Sequence, residues 1–230
     1  MRPWTPLCLW PIALLGAGLG CSPGGSTGTG STSGTVSVVE GGTSTTETVV
    51  RLQVEPCVGN HELKATGVAI SADTIATVAH TFDRAEEFSV IDDAGDHHRG
   101  EIVWLDPERD LALIRIDGGV VPWLHLGDSE DGEPVEVITA ASDEGLETKD
   151  ATILQHVTAT LDGEGERMAI EIEANIQGGD SGAPVINTDG EVVGIVFASA
   201  RDAERGWVIA ASEIEAALAQ PKDGPISLTC

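Results

Sequence analysis

Basic residues are scarce in this sequence. Twelve lysines and arginines stand against 38 aspartates and glutamates, a formal charge of −26. A surface of that sign repels phosphate backbones and has few cations to displace their counterions, which argues against nucleic acid as a partner. The charge otherwise describes a solvated acidic surface and names no ligand. Long apolar runs are lacking as well. The most apolar stretch, Leu7 to Leu19, is broken by Pro11 and by glycines, and it falls short of the roughly 20 apolar residues that a membrane-spanning helix requires. No other segment comes closer, so lasting membrane attachment would have to come from a lipid. No CxxC pair is present, which removes the usual cysteine-based metal site. Fixed-period repeats are absent too, and helical periodicity is missing everywhere except near the C-terminal end.

What is present is a chain of 230 residues, 41% hydrophobic, enough to bury the core of one principal domain. Its first 20 residues carry a basic Arg2, an apolar centre and then small residues, the pattern of a cleaved export signal. The following GAGLGC resembles the bacterial lipoprotein cleavage box, which implies lipidation of Cys21 and a place in the bacterial cell envelope. That box usually has a leucine three places before the cysteine, where Gly18 stands here and Leu19 follows one step later. Ordinary secretion is the alternative. Once Cys8 leaves with the signal and lipid takes Cys21, Cys57 and Cys230 remain. In an oxidising compartment they form a pair, closing a loop of about 174 residues and contributing up to about 5 kcal/mol; two unpaired thiols are the other reading. Residues 21–48 are mostly Gly, Ser and Thr, a composition that buries too little to offset ordering and reads as a flexible linker. The folded domain is expected over residues 49–230.

From Val49 onward, short β-type runs alternate with turn residues: VVRLQV, TGVAI, TIATV, FSVI, GEIVWL and LALIRI, then PVEVIT, DATILQHVTATL, MAIEIEA, APVIN, VVGIVFA and GWVIA. Such a series with no helix between its members predicts an all-β protein, an antiparallel sandwich or a pair of barrels. The turn-rich stretch from Gly118 to Glu133 divides the runs six and six. A helix is predicted at SEIEAALA, where Ser212 and Glu215 have capping-box spacing and Ile214, Ala217 and Leu218 share a face; Pro221 stops it.

Three segments carry chemistry. TIATVAHTF places His80 after an apolar strand, DPERDLALIRI places Asp110 before one, and QGGDSGAP sets Ser181 among glycines. A serine hydroxyl is a poor nucleophile unless a base lies within hydrogen-bond reach, and histidine titrates near neutrality. The set resembles the trypsin-like serine peptidases over about Val49 to Leu218, with a closing stretch similar to the HtrA catalytic domains; no PDZ domain is expected after the terminal helix. The chain order His, Asp, Ser is that family's order, unlike that of subtilisins and α/β-hydrolases. The resemblance implies two six-stranded antiparallel β-barrels with a C-terminal helix and the active site between them. It implies an exported serine endopeptidase acting on protein or peptide substrates, with no cofactor and no metal. His80 would be the base, Asp110 its orienting carboxylate, Ser181 the nucleophile, and the amides of Gly179 and Ser181 the oxyanion hole.

Taken singly, each of the three has a plain reading: a core histidine, a turn aspartate, a loop serine. Joined in family order they point to the triad. Asp180 is expected to be structural. In the digestive enzymes its counterpart pairs with a newly freed N-terminus, but VVEGG at 38–42 follows no Arg or Lys that would mark such a cleavage. The resemblance places Asn175 at the base of the primary pocket and Phe197, Ala198 and Ser199 along its wall, with Phe197 equally readable as core. With no aspartate at the base, an uncharged residue is expected at the cleavage point. DDAGDHH, Asp92 to His98, reads as a hairpin tip rather than a metal site. The competing functions are a non-catalytic binding protein on the same fold and an esterase using the same three residues.

Overall fold

A computed structural model describes residues 44–59, 61–118, 122–142, 145–161, 164–200, 204–221 and 224–230. The predicted signal, Cys21, VVEGG and most of the predicted linker lie outside the described residues. The folded chain begins before Val49, however. Thr45–Thr48 form a 3-10 turn in which Thr45 and Thr48 are buried and the Thr48 hydroxyl donates to the Thr45 carbonyl, so the last four residues of the expected linker belong to the domain.

Thirteen strands are found among the described residues. The first half holds β1 (Val49–Pro56), β2 (Leu63–Ser71), β3 (Thr74–Thr77), β4 (Ala85–Ile91), β5 (His97–His98), β6 (Gly100–Asp106) and β7 (Leu111–Ile116). They make one antiparallel sheet in the order β5-β4-β1-β2-β3-β7-β6. The second half holds β8 (Pro134–Ser142), β9 (Gly145–Leu161), β10 (Glu164–Glu173), β11 (Pro184–Ile186), β12 (Val192–Ser199) and β13 (Arg205–Ala210). These close into a six-stranded barrel, β10-β13-β12-β11-β8-β9. The protein is thus all-β with two barrel-like halves. The seventh strand of the first half is β5, the two residues that pair with Val90 and Ile91 across the DDAGDHH turn. It is too short to show a period of its own in the sequence.

Alternation of side chains explains where these strands go, since successive residues of a strand face opposite sides. On β7, Ala112, Ile114 and Ile116 fill the first half's own core, while Leu111 and Leu113 face a second core shared with the other half. Strand β1 divides likewise: Val50, Leu52 and Val54 inward, Val49 toward the shared core. Val137, Ile153, Ile170, Val185 and Val208 fill the closed barrel. The shared core also takes Ile138, Ile186, Ile195 and Phe197 from the second half, so it is the packing that holds the halves together.

The one α-helix among the described residues, α1 (Ala211–Leu218), leaves β13 directly and inserts Ile214 and Ala217 into the shared core. Its N-cap is Ala210, with no side-chain hydrogen bond. The predicted capping box therefore does not form: Ser212 already lies inside the first turn, because the chain turns from strand into helix two residues earlier than the S-x-x-E spacing indicates. No described helix is long and apolar enough to cross a membrane.

Cys57 and Cys230 are joined by a disulfide with Cα atoms 5.5 Å apart, across 173 positions of sequence. A cross-link of that span restricts the unfolded chain far more than the folded one. The double variant Cys57→Ala/Cys230→Ala is expected to lose about 2–5 kcal/mol of stability in urea titrations, and wild-type protein treated with reductant should match it.

Candidate active site

Three loop positions at the seam between the halves bring the chemistry together. Strand β3 ends at Thr77, and the 3-10 turn Ala79–Phe82 that follows presents His80 with its side chain 44% exposed. Asp110 stands immediately before β7 and is almost fully buried. Ser181 lies in the glycine-rich loop before β11 and is half-buried. The side chains form a row: Asp110 Oδ2 is 2.8 Å from His80 Nδ1, and His80 Nε2 is 3.0 Å from Ser181 Oγ. The other Asp110 oxygen accepts the His80 backbone N–H at 2.8 Å, so one carboxylate holds both the ring and the turn that carries it. A carboxylate accepting at Nδ1 leaves Nε2 as the acceptor for the serine hydroxyl, the proton arrangement that general-base chemistry needs.

Asp110 has a φ of +56°, a left-handed backbone that costs a non-glycine residue about 1–2 kcal/mol. Aspartate tolerates it better than most residues, and here the conformation turns the carboxylate back toward His80.

The serine loop is built for close approach. Gly179 has φ +97°, a conformation that side chains resist. A Cβ at Gly182 would collide with the Thr66 carbonyl and the Thr77 hydroxyl, so glycine lets this loop lie directly on β2. Thr66 holds it there. Its N–H donates to the Ser181 carbonyl at 2.8 Å, its hydroxyl donates to the Gly179 carbonyl at 3.2 Å, and the same hydroxyl accepts the Ala140 N–H from β8 at 3.0 Å. Among the described residues, the N–H groups of Gly179 and Ser181 donate to no acceptor.

Sequence left Asp180 without a partner. The structure pairs it with Lys149 of β9: Nζ lies 2.6 Å from Asp180 Oδ2, with side chains 10% and 2% exposed. The same oxygen accepts the Gln177 N–H at 2.8 Å, and Asp180 N–H returns a bond to the Gln177 carbonyl. The loop that carries Gly179 and Ser181 is thereby closed on itself and tied to the barrel. A partner 31 positions away gives no local signal, although lysine is rare enough here (Lys64, Lys149 and Lys222) that a lone cation in the TKDAT strand could have drawn notice.

The positions expected to form a primary pocket differ in burial. Asn175 is exposed, so it floors no enclosed pocket. The inward residue of that alternating segment is Ile176, 3% exposed, one place along, and ANIQ already carries this alternation. Phe197 lies in the shared core with the Arg167 guanidinium 4.8 Å from its ring centroid; it is core, the second of the two readings made from sequence. Ala198 is half-buried and Ser199 exposed.

Two barrel-like halves with this row of side chains at their seam define the two-barrel, trypsin-like class. The family model of the trypsin-like peptidase domain matches residues 65–195, more than half of the chain, and the chain belongs to that family. It is 35% identical over 132 residues to a DegP-like periplasmic serine endoprotease of Halomonas elongata, covering 56% of this chain and 28% of that protein. It is 30% identical over 168 residues to the serine protease Rv3671c of Mycobacterium tuberculosis, covering 69% of this chain and 42% of that one. The chain therefore spans less than half the length of these curated relatives. The crystal structure of the active form of the Rv3671c protease superposes with a TM-score of 0.72 at 27% identity, covering 81% of this chain and 85% of that one.

Two substitutions test how the loop is held. Lys149→Met leaves Asp180 buried and unpaired, which should cost about 3–5 kcal/mol in urea unfolding; adding Asp180→Asn should recover most of that loss. Thr66→Val keeps the volume but strands the Gly179 carbonyl and the Ala140 N–H, with an expected loss of about 1–3 kcal/mol in the same measurement.

Proposed function

We propose that this chain is an exported serine endopeptidase in which Ser181, His80 and Asp110 act as the catalytic triad. The observation that carries the reading is the unbroken row from Asp110 through His80 to Ser181, at 2.8 and 3.0 Å, in a chain of the trypsin-like peptidase family. The serine protease relatives support a protein or peptide substrate.

In this mechanism the Ser181 oxygen attacks the peptide carbonyl as its proton passes to His80 Nε2. Asp110 keeps the imidazole oriented and balances the imidazolium that forms. The carbonyl oxygen becomes an oxyanion, received by the amides of Gly179 and Ser181, whose freedom from other acceptors supports that role. His80 then gives its proton to the leaving amine as the C–N bond breaks, leaving an acyl-enzyme ester on Ser181. Water attacks the ester, its proton passing to His80, and collapse of the second tetrahedral intermediate returns a proton to Ser181 Oγ. No aspartate stands six places before Ser181, which favours an uncharged residue on the acyl side of the cleaved bond.

Residues 1–20 act as the export signal and 21–48 largely as a tether, with the peptidase domain beyond them. The periplasmic relative supports export. Cys21 is the point of lipid attachment in the envelope, a soluble secreted form being the alternative that mass spectrometry of the mature N-terminus distinguishes.

A fluorophosphonate probe tests the central reading. Wild-type protein should be labelled covalently and Ser181→Ala should not, and peptide hydrolysis by the variant should fall by at least about 10⁴-fold. Absence of Ser181-dependent labelling in folded protein would make this a binding protein on a peptidase fold.

A further inference from the structure

Arg167, in the middle of β10, is the bulkiest of the side chains less than 2% exposed. Among the described residues it is the one buried lysine or arginine. Taking a guanidinium out of water is expensive unless its donors are met. Here they are mostly not: Nη1 donates to the Arg109 carbonyl at 2.7 Å, Phe197 offers a ring face at 4.8 Å, and Nε and Nη2 have no hydrogen-bond partner among the described residues. Burial pushes the guanidinium below its ordinary range, while the charges of Asp110, Asp106 and Glu213 act in the opposite sense. As a contribution to stability this is a poor arrangement, so its location asks for another account.

The Arg109 carbonyl belongs to the peptide group that leads into Asp110. Rotation of that group about the Asp110 N–Cα bond is the φ angle, held at +56°. Anchoring the carbonyl therefore fixes the backbone of Asp110 from behind, while His80 fixes its carboxylate from in front with two hydrogen bonds. The outer ties on this segment are half-exposed: Arg109 pairs with Asp106 at 2.7 Å and with Glu213 of α1 at 3.3 Å, and such pairs contribute little in water. Arg167, by contrast, is almost fully buried, and its charge is attracted to Asp110.

We propose that Arg167 is a positioning residue for the site: from the second barrel it locks the left-handed peptide of Asp110 and supplies a buried positive charge that helps keep this carboxylate aimed at His80. The inference rests on the triad reading of His80, Asp110 and Ser181 given above. It makes the alignment of that triad a property of both halves, because His80 and Asp110 come from the first sheet and their lock comes from β10.

The test separates positioning from simple structural support. Arg167→Met keeps much of the volume and removes the charge and its bond; replacing a poorly satisfied buried ion with an apolar side chain is expected to leave the melting temperature unchanged or higher. The kcat should nevertheless fall about 10- to 100-fold with KM within about twofold, the cost of a misplaced catalytic group. In the Ser181→Ala background, the far-downfield proton resonance of the His80–Asp110 hydrogen bond should broaden or vanish on adding Arg167→Met, and Arg167→Lys should partly restore both readouts. If Arg167→Met fails to fold, Arg167→Gln carries the same test with a neutral donor. An unchanged resonance and unchanged kcat in a folded Arg167→Met protein overturn the proposal. Because the resonance is read in a protein that cannot turn over, a wild type without fluorophosphonate labelling would overturn the enzymatic reading alone.

Discussion

One buried threonine holds the two halves in register. Thr66 of β2 donates its backbone N–H to the Ser181 carbonyl, gives its hydroxyl to the Gly179 carbonyl, and accepts the Ala140 N–H of the second barrel. Its own carbonyl is covered by the Thr77 hydroxyl. Thr66 and Thr77 are fully buried, and a buried donor or acceptor left unmet costs more than a met one contributes. The seam therefore tolerates essentially one register, and that register places His80, in the turn that follows the adjoining β3, within 3.0 Å of Ser181. Apolar packing of the shared core brings the halves together, but it is non-directional; the polar stitch at Thr66 decides how they meet.

Charge follows the same economy. A chain with 12 basic and 38 acidic residues has few cations to place, and three of them surround the site. Lys149 neutralises Asp180 beneath the serine loop, Arg167 stands behind Asp110, and Arg109 ties that aspartate's segment to Asp106 and to the terminal helix. Asp180 is almost fully removed from water, where an unpaired charge is costly. The acidic surface is solvated and needs no such partners.

The strands were legible because period-two alternation is a local property: all twelve apolar runs lie in strands, and even the doubly buried β7 shows its type through Leu111 to Ile116. The three chemical segments were legible for a similar reason, since histidine after a strand, aspartate before one and serine among glycines are each short patterns. What escaped notice was short or non-local. The two-residue β5 has no period to detect. The capping box at Ser212 had correct spacing and failed because β13 runs straight into the helix, fixing its start from the strand side. Counting back from the serine points to Asn175, whereas the alternation of that segment turns Ile176 inward and leaves Asn175 exposed.

The sequence by itself determined the all-β class, the order of the elements and the types of residue able to carry the chemistry, because backbone preference and functional-group type belong to single residues and their near neighbours. Only the tertiary structure decided that Asp180 meets Lys149, that Thr66 stitches the serine loop to the first half, and that Arg167 lies behind Asp110. Those contacts join residues dozens to more than a hundred positions apart, and only closure of the second barrel and its docking on the first half bring them within reach of one another.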